Sequence, residues 1–300
     1  MSNARIIYVT GMKPKPEPAL HRPELVRVLG AALARTCPER AGWLTEREQN
    51  FVLVSWTSLL YDERRDIGLD KPGIERLLAN PEPDRSHKRE ADRLGRKLKR
   101  VWHLLGDSFP WLSALVATAA LKVTLNDVHR YLDNQGGLGE RIRELVIEAV
   151  QAAWADGDRV FLIGHSLGSV IAYDALWTLS RERAAAGRVD VLMTLGSPLA
   201  TRFIRKGLRG AGSSGVERYP DNIGRWINVA ARAEMVALRR RIKPFFAEML
   251  KLGLIGAIED RIDVYNHFHG INGLDPHKSY GYLAHSTVAT EVCNWLAHSS

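Results

Sequence analysis

The chain has 300 residues, 45% of them hydrophobic and 25% charged, with a formal net charge of +8. That composition is ordinary for a globular protein with a sizeable core and argues against a disordered chain or a bundle of membrane helices. The positive excess is concentrated, since eight Lys or Arg against only Glu90 and Asp92 fall between Arg85 and Arg100; a basic surface on every side is not expected.

Only Cys37 and Cys293 are present. A fold of this size does not require a disulfide, so both read as free thiols in a reducing compartment, and a cytoplasmic location is expected. The first residues show no charged leader and apolar stretch of the secretory kind. The fourteen uncharged residues from Ser108 to Leu121 fall short of the roughly 18 to 20 needed to span a bilayer.

Ile6 to Thr10 reads as a buried strand, short and rich in β-branched and aromatic residues, ending at Gly11 and a proline-rich loop with Pro14, Pro16 and Pro18. Arg22 to Thr36 has apolar residues at helical spacing (Leu25, Val28, Leu29, Leu33), and Phe51 to Trp56 returns to a strand pattern. From about Tyr61 to Leu125 the rhythm breaks, and residues 61–125 are taken as a helical cap inserted into a single domain of residues 1–300. Within it Leu94, Leu98, Val101, Trp102 and Leu105 form an apolar face beneath the basic one. Two readings stand for that helix: a face packed on the domain with solvated charges, or peripheral contact with an anionic membrane.

The alternation then resumes with a helix over Glu140–Trp154, a strand over Arg159–Ile163, a helix over Ser169–Ser180 and a strand over Val189–Leu195. A strand at Trp226–Val229, a helix from Met235 to Leu250, a strand at Ile262–Tyr265 and a last helix ending near Trp295 follow. The fold class expected is therefore α/β, with a mostly parallel central sheet flanked by helices on both faces.

Gly164-His165-Ser166-Leu167-Gly168 lies between the apolar strand Val160-Phe161-Leu162-Ile163 and the apolar start of the next helix, Val170-Ile171-Ala172-Tyr173. A serine on so sharp a strand-to-helix turn has its hydroxyl thrust above the sheet edge, and the flanking glycines avoid collisions across the turn. This segment resembles the nucleophile elbow of α/β-hydrolases, in the form found in lipases and esterases, and Thr194-Leu195-Gly196-Ser197-Pro198-Leu199 is similar to a stretch of lipase-like members. The resemblance covers about residues 1–60 and 126–300. It implies an α/β-hydrolase fold and a carboxylic ester hydrolase working through an acyl-serine.

The order serine, acid, histidine that the resemblance implies restricts the base to His267, His269, His277, His285 or His298. His277, in the loop Asp275-Pro276-His277-Lys278-Ser279-Tyr280, resembles the family's histidine loop and is favoured over His285. The family places an acid about six residues beyond Asn228, where this chain has Glu234; Asp263 and Asp260 are the alternatives. Oxyanion donors are expected at the backbone N–H groups of Leu167 and Met12, the latter in Thr10-Gly11-Met12 where many relatives carry His-Gly. Trp111 and Leu112 in the cap are candidate substrate-binding residues.

The other readings are a metal site formed by His267 and His269 with His277 or Asp275, a nucleic-acid binder, and a hydrolase-like binding protein without activity. Phospholipase and acyltransferase activity at a membrane surface share the acyl-serine chemistry of an esterase. No dinucleotide fingerprint, phosphate-cradling loop or heme motif occurs, so no cofactor and no metal are expected. The expected ligand is a small-molecule or lipid ester, and no nucleic-acid partner is expected.

Overall fold

The computed structural model describes residues 3–106, 119–234 and 240–297, with only the backbone described for 96–106 and 119–125. Six strands form one all-parallel sheet: β1 (Ala4–Val9), β2 (Phe51–Val54), β3 (Arg159–His165), β4 (Val189–Leu195), β5 (Ile223–Ala231) and β6 (Ala257–Val264). Their order is β2-β1-β3-β4-β5-β6. A parallel sheet needs both faces covered, because each connection carries a helix back across it. The register shows how the chain meets this: Tyr8, Ile163, Met193 and Ile227 align in one row across four strands, all facing the same core.

On that face lie α1 (Pro18–Thr36), α2 (Lys71–Ala79) and the C-terminal α8 (Ser286–Ala297), packed on Ile6, Tyr8, Phe161, Ile163 and Met193. The opposite face carries α5 (Leu138–Ala155), α6 (Leu167–Trp177) and α7 (Lys243–Lys251) over Ile7, Val9, Leu162, Leu192 and Trp226. Between α2 and α5 run α3 (Arg85–Gly106) and α4 (Ala119–Leu132).

Some element boundaries differ from the sequence reading for local reasons. α1 begins at Pro18, a residue suited to a first helical turn because its missing N–H has no partner to lose. α7 starts at Lys243 with Pro244 in its first turn; the expected start at Met235 lies outside the described residues. β6 starts at Ala257; its outer residues Glu259 and Arg261 give an edge strand a charged pattern that hides its strand character.

The two cysteines are corrected. Cys37 and Cys293 are joined by a disulfide, with 6.2 Å between their Cα atoms across a sequence separation of 256. α1 and α8 lie side by side on one face of the sheet, which brings the end of one helix against the middle of the other. The free-thiol reading, and the reducing compartment that rested on it, lose their ground. No helix among the described residues is long and apolar enough to cross a membrane.

Candidate active site

The chain direction around the sheet reverses between β1 and β3, since β1 leads outward to β2 while β3 leads through β4 to β6. In open α/β sheets such a reversal opens a crevice at the C-terminal strand ends. Gly11 and Met12 follow β1 there, and Ser166 follows β3.

Ser166 has φ 53° and ψ −127°, a conformation rarely open to a residue with a side chain. Holding it costs about 1–3 kcal/mol, which the surrounding packing must offset. A side chain at Gly164 would come within 2.5 Å of Ser169 Cα, and one at Gly168 within 2.4 Å of the Thr10 carbonyl. A Cβ on Gly11 would lie 2.8 Å from His165 Nδ1 and 2.9 Å from Ser166 Cβ. These glycines let β1, β3 and α6 close tightly around the turn. The turn is fixed further by Ser166 N–H donating to the Leu195 carbonyl at 2.9 Å. Ser169 Oγ donates to the Ser166 carbonyl at 2.6 Å and is 2.7 Å from Ser197 Oγ.

Glu234 stands just beyond β5, after a turn in which Ala233 has φ 65°. Its side chain is fully buried, and Oε1 is 2.9 Å from His277 Nδ1, within ion-pair distance although the ring N–H is not aligned as a hydrogen-bond donor. Tyr282 Oη donates to Glu234 Oε2 at 2.7 Å and accepts from the Ala231 N–H at 3.0 Å. Gly196, at φ 55°, makes room for this pair: a side chain there would lie 2.9 Å from Glu234 Oε2 and 3.0 Å from His277 Nδ1.

His277 is tied to the Ser166 turn through His165, the neighbour of Ser166 in that turn. His165 Nε2 is 2.7 Å from the His277 carbonyl, and the two rings lie 4.8 Å apart. Burial, reinforced by His277 and Lys15, holds the His165 imidazole well below its usual range. It is therefore neutral, and because a carbonyl only accepts, the proton is on Nε2. The loop is braced from the other side by Lys278, whose Nζ lies 2.8 Å from both Asp70 oxygens, while Arg65 donates to the same carboxylate at 2.9 Å. Burial opposes ionisation of Asp70, yet the combined Arg65 and Lys278 contacts hold its carboxyl below the usual range.

No family model matches this chain, and no curated protein matches it. A solved structure from a structural analysis of two fungal esterases from Rhizomucor miehei is similar to it with a TM-score of 0.30 and 12% identity, over 52% of this chain. The chain spans 58% of the length of that structure. The likeness is distant.

The remaining sequence candidates have other surroundings. Asp260 accepts from Asn228 Nδ2 at 2.8 Å and from the Ile242 N–H at 2.9 Å, anchoring the start of α7. Asp263 is exposed and pairs with Arg232 at 3.1 Å. His285 accepts from the Thr287 N–H at the start of α8. His269 contacts Glu90 at 3.1 Å and His267 contacts the Asn80 carbonyl at 2.8 Å. Among the described residues no group of three His, Cys, Asp or Glu is arranged to hold a metal. Met12 is half-buried against the core, and its carbonyl accepts from Lys15 at 2.8 Å; Leu167 opens α6. Trp111, Leu112 and His298 lie outside the described residues.

The sequence reading did not single out Tyr282, Asp70, Lys278 or Ser197. The contacts of Tyr282 and Asp70 are made with residues 48 and 208 positions away in the chain. The first half of α3 also lies against this region: Gly95 approaches Ala233, and Asp92 pairs with Arg232 at 3.5 Å.

Proposed function

We propose that this protein is a serine hydrolase that cleaves carboxylic esters, with Ser166 as nucleophile, His277 as general base and Glu234 as the acid that orients it. The observation that carries the reading is the strained Ser166 turn at the β1/β3 crevice, with His277 2.9 Å from a fully buried carboxylate and tied to that turn through His165. A buried carboxylate against Nδ1 favours the tautomer that leaves Nε2 as the basic nitrogen, and it stabilises the imidazolium formed during attack. A serine hydroxyl is a weak nucleophile without such a base.

In the proposed cycle Ser166 Oγ attacks the ester carbonyl while His277 Nε2 takes its proton. The carbonyl oxygen becomes an oxyanion facing the Leu167 and Met12 N–H groups, with the N-terminus of α6 adding a favourable field. His277 returns the proton to the leaving alkoxide, and water repeats the sequence on the acyl-enzyme. α3, resting near the acid turn, supports the reading of residues 61–125 as a cap over the ester site.

The test is turnover of a chromogenic short-chain ester by the wild type, Ser166→Ala and His277→Ala. Each variant is expected to retain the fold and lose about 10⁴-fold or more in kcat. Near wild-type turnover by folded Ser166→Ala rejects the assignment.

A further inference from the structure

The segment joining β4 to β5 gathers cations around an open pocket. The short helix Arg202–Gly207 and the chain after it border an open pocket of about 300 Å³ lined by Arg202, Arg205, Lys206, Arg218, Ala211 and Gly212. Four of these six residues are cationic and none is acidic. Like charges brought together raise the local potential, and an entering anion relieves that repulsion.

Two of the guanidinium groups are already oriented. Arg218 donates to the Ala211 carbonyl at 3.3 Å, a contact that sets its direction without neutralising it. Arg205 lies over the Phe245 ring at 4.2 Å, which sets its plane. Nearby carboxylates have other partners: Glu182 pairs with Arg209, Glu217 approaches Arg181 at 3.9 Å, and Glu248 accepts from Tyr219 at 2.7 Å.

A narrower space shares Arg205, Ala211 and Arg218 with this cavity and reaches Tyr173 on α6. Tyr173 is seven residues beyond Ser166, so about 10 Å of helix separates it from the elbow. None of Ser166, His277 and Glu234 lines either space.

We propose that this cavity binds a phosphate monoester group, carried either by a small soluble molecule or by a lipid headgroup. A phosphate monoester brings up to two negative charges and three terminal oxygens, enough to engage several guanidinium forks at once, whereas a carboxylate is satisfied by one. The glycine at 212 lets the ligand approach the backbone closely. The site is independent of the ester reaction.

The full-length protein is titrated calorimetrically with glycerol 3-phosphate and with inorganic phosphate, and sedimented with phosphatidylcholine vesicles with and without phosphatidic acid. Saturable binding is expected, weakened about tenfold by each of Arg202→Gln and Lys206→Gln, both exposed positions whose replacement leaves the fold intact. Arg89→Gln on the basic α3 serves as the charge control and leaves binding unchanged. Binding of the soluble probe alone identifies a small-molecule source; co-sedimentation that needs phosphatidic acid and Arg202 identifies a lipid source. Absence of saturable binding to the soluble probes together with absence of phosphatidic-acid-dependent co-sedimentation, or binding indifferent to Arg202→Gln and Lys206→Gln, overturns the proposal. Ser166→Ala is expected to bind as the wild type does, so failure of the esterase reading and failure of this site are separately visible.

Discussion

Tyr282 donates its hydroxyl to Glu234 Oε2 at 2.7 Å while Glu234 Oε1 faces His277 at 2.9 Å. The carboxylate is thus held at both oxygens, and the tyrosine that fixes it accepts in turn from the end of β5 at Ala231. Burial, together with the Glu234 carboxylate, pushes the Tyr282 phenol well above its usual range, so it remains a donor across the working pH range.

Tyr282→Phe is therefore expected to lower kcat about tenfold with little change in KM, because it removes a hydrogen bond to a charged group that positions the base without touching substrate. Steady-state kinetics on a short-chain ester checks this. An increase in KM at constant kcat would instead place Tyr282 in substrate binding.

The three candidate acids separate by what they hold. Glu234→Gln is expected to reduce kcat about 10³- to 10⁴-fold in a folded protein, since a neutral amide does not stabilise the imidazolium. Asp263→Asn, at an exposed ion pair, leaves turnover within about twofold. Asp260→Ala costs about 1–3 kcal/mol of stability, because the Asn228 amide and the Ile242 N–H lose their acceptor. Denaturant titration beside the kinetic assay distinguishes a lost anchor from a lost acid.

The parts of this arrangement legible in the sequence are those written locally. The β1 pattern, the Gly-His-Ser-Leu-Gly turn and the apolar start of α6 each fit within a few residues, where strand and helix periods and glycine sterics leave few alternatives. Glu234 and His277 were reachable only through family spacing, because nothing in a glutamate or histidine itself marks what it will face. Contacts closed by the tertiary fold carry no local mark. Cys37 and Cys293 looked like unrelated thiols until α1 and α8 were adjacent. Lys278 and Asp70 meet only because the histidine loop returns over the segment leading into α2.

His21 lies buried in α1, edge-on to Tyr280. Burial, helped by Lys15 and Lys278, lowers its pKa to about 3 from an ordinary value of 6.5. The folded state therefore keeps His21 neutral where the unfolded chain takes up a proton, so this group makes stability fall as pH drops from about 6.5 toward about 3. His21→Gln is expected to flatten that part of the acid limb, an effect on the order of a few kcal/mol at its lower end. Parallel denaturant titrations between pH 7 and pH 4 read it directly. An unchanged difference between variant and wild type across that range assigns the acid limb to other groups.

The disulfide offers a test that concerns the whole fold. Cys37 and Cys293 are both buried between α1 and α8, and their bond closes most of the chain into one loop. Closing so long a loop restricts the unfolded chain strongly while leaving native contacts as they are, so Cys37→Ser with Cys293→Ser is expected to cost about 2–5 kcal/mol. Thermal melts with and without a reductant provide the control: reductant lowers the wild-type midpoint toward that of the double variant and leaves the variant unmoved. Because neither cysteine touches Ser166, His277 or Glu234, ester turnover below the melting transition is expected to be the same in both proteins. A reductant-insensitive wild-type melt would show that the two thiols are not bonded in solution. A loss of turnover in the folded double variant would show that α1 and α8 support the crevice through the sheet.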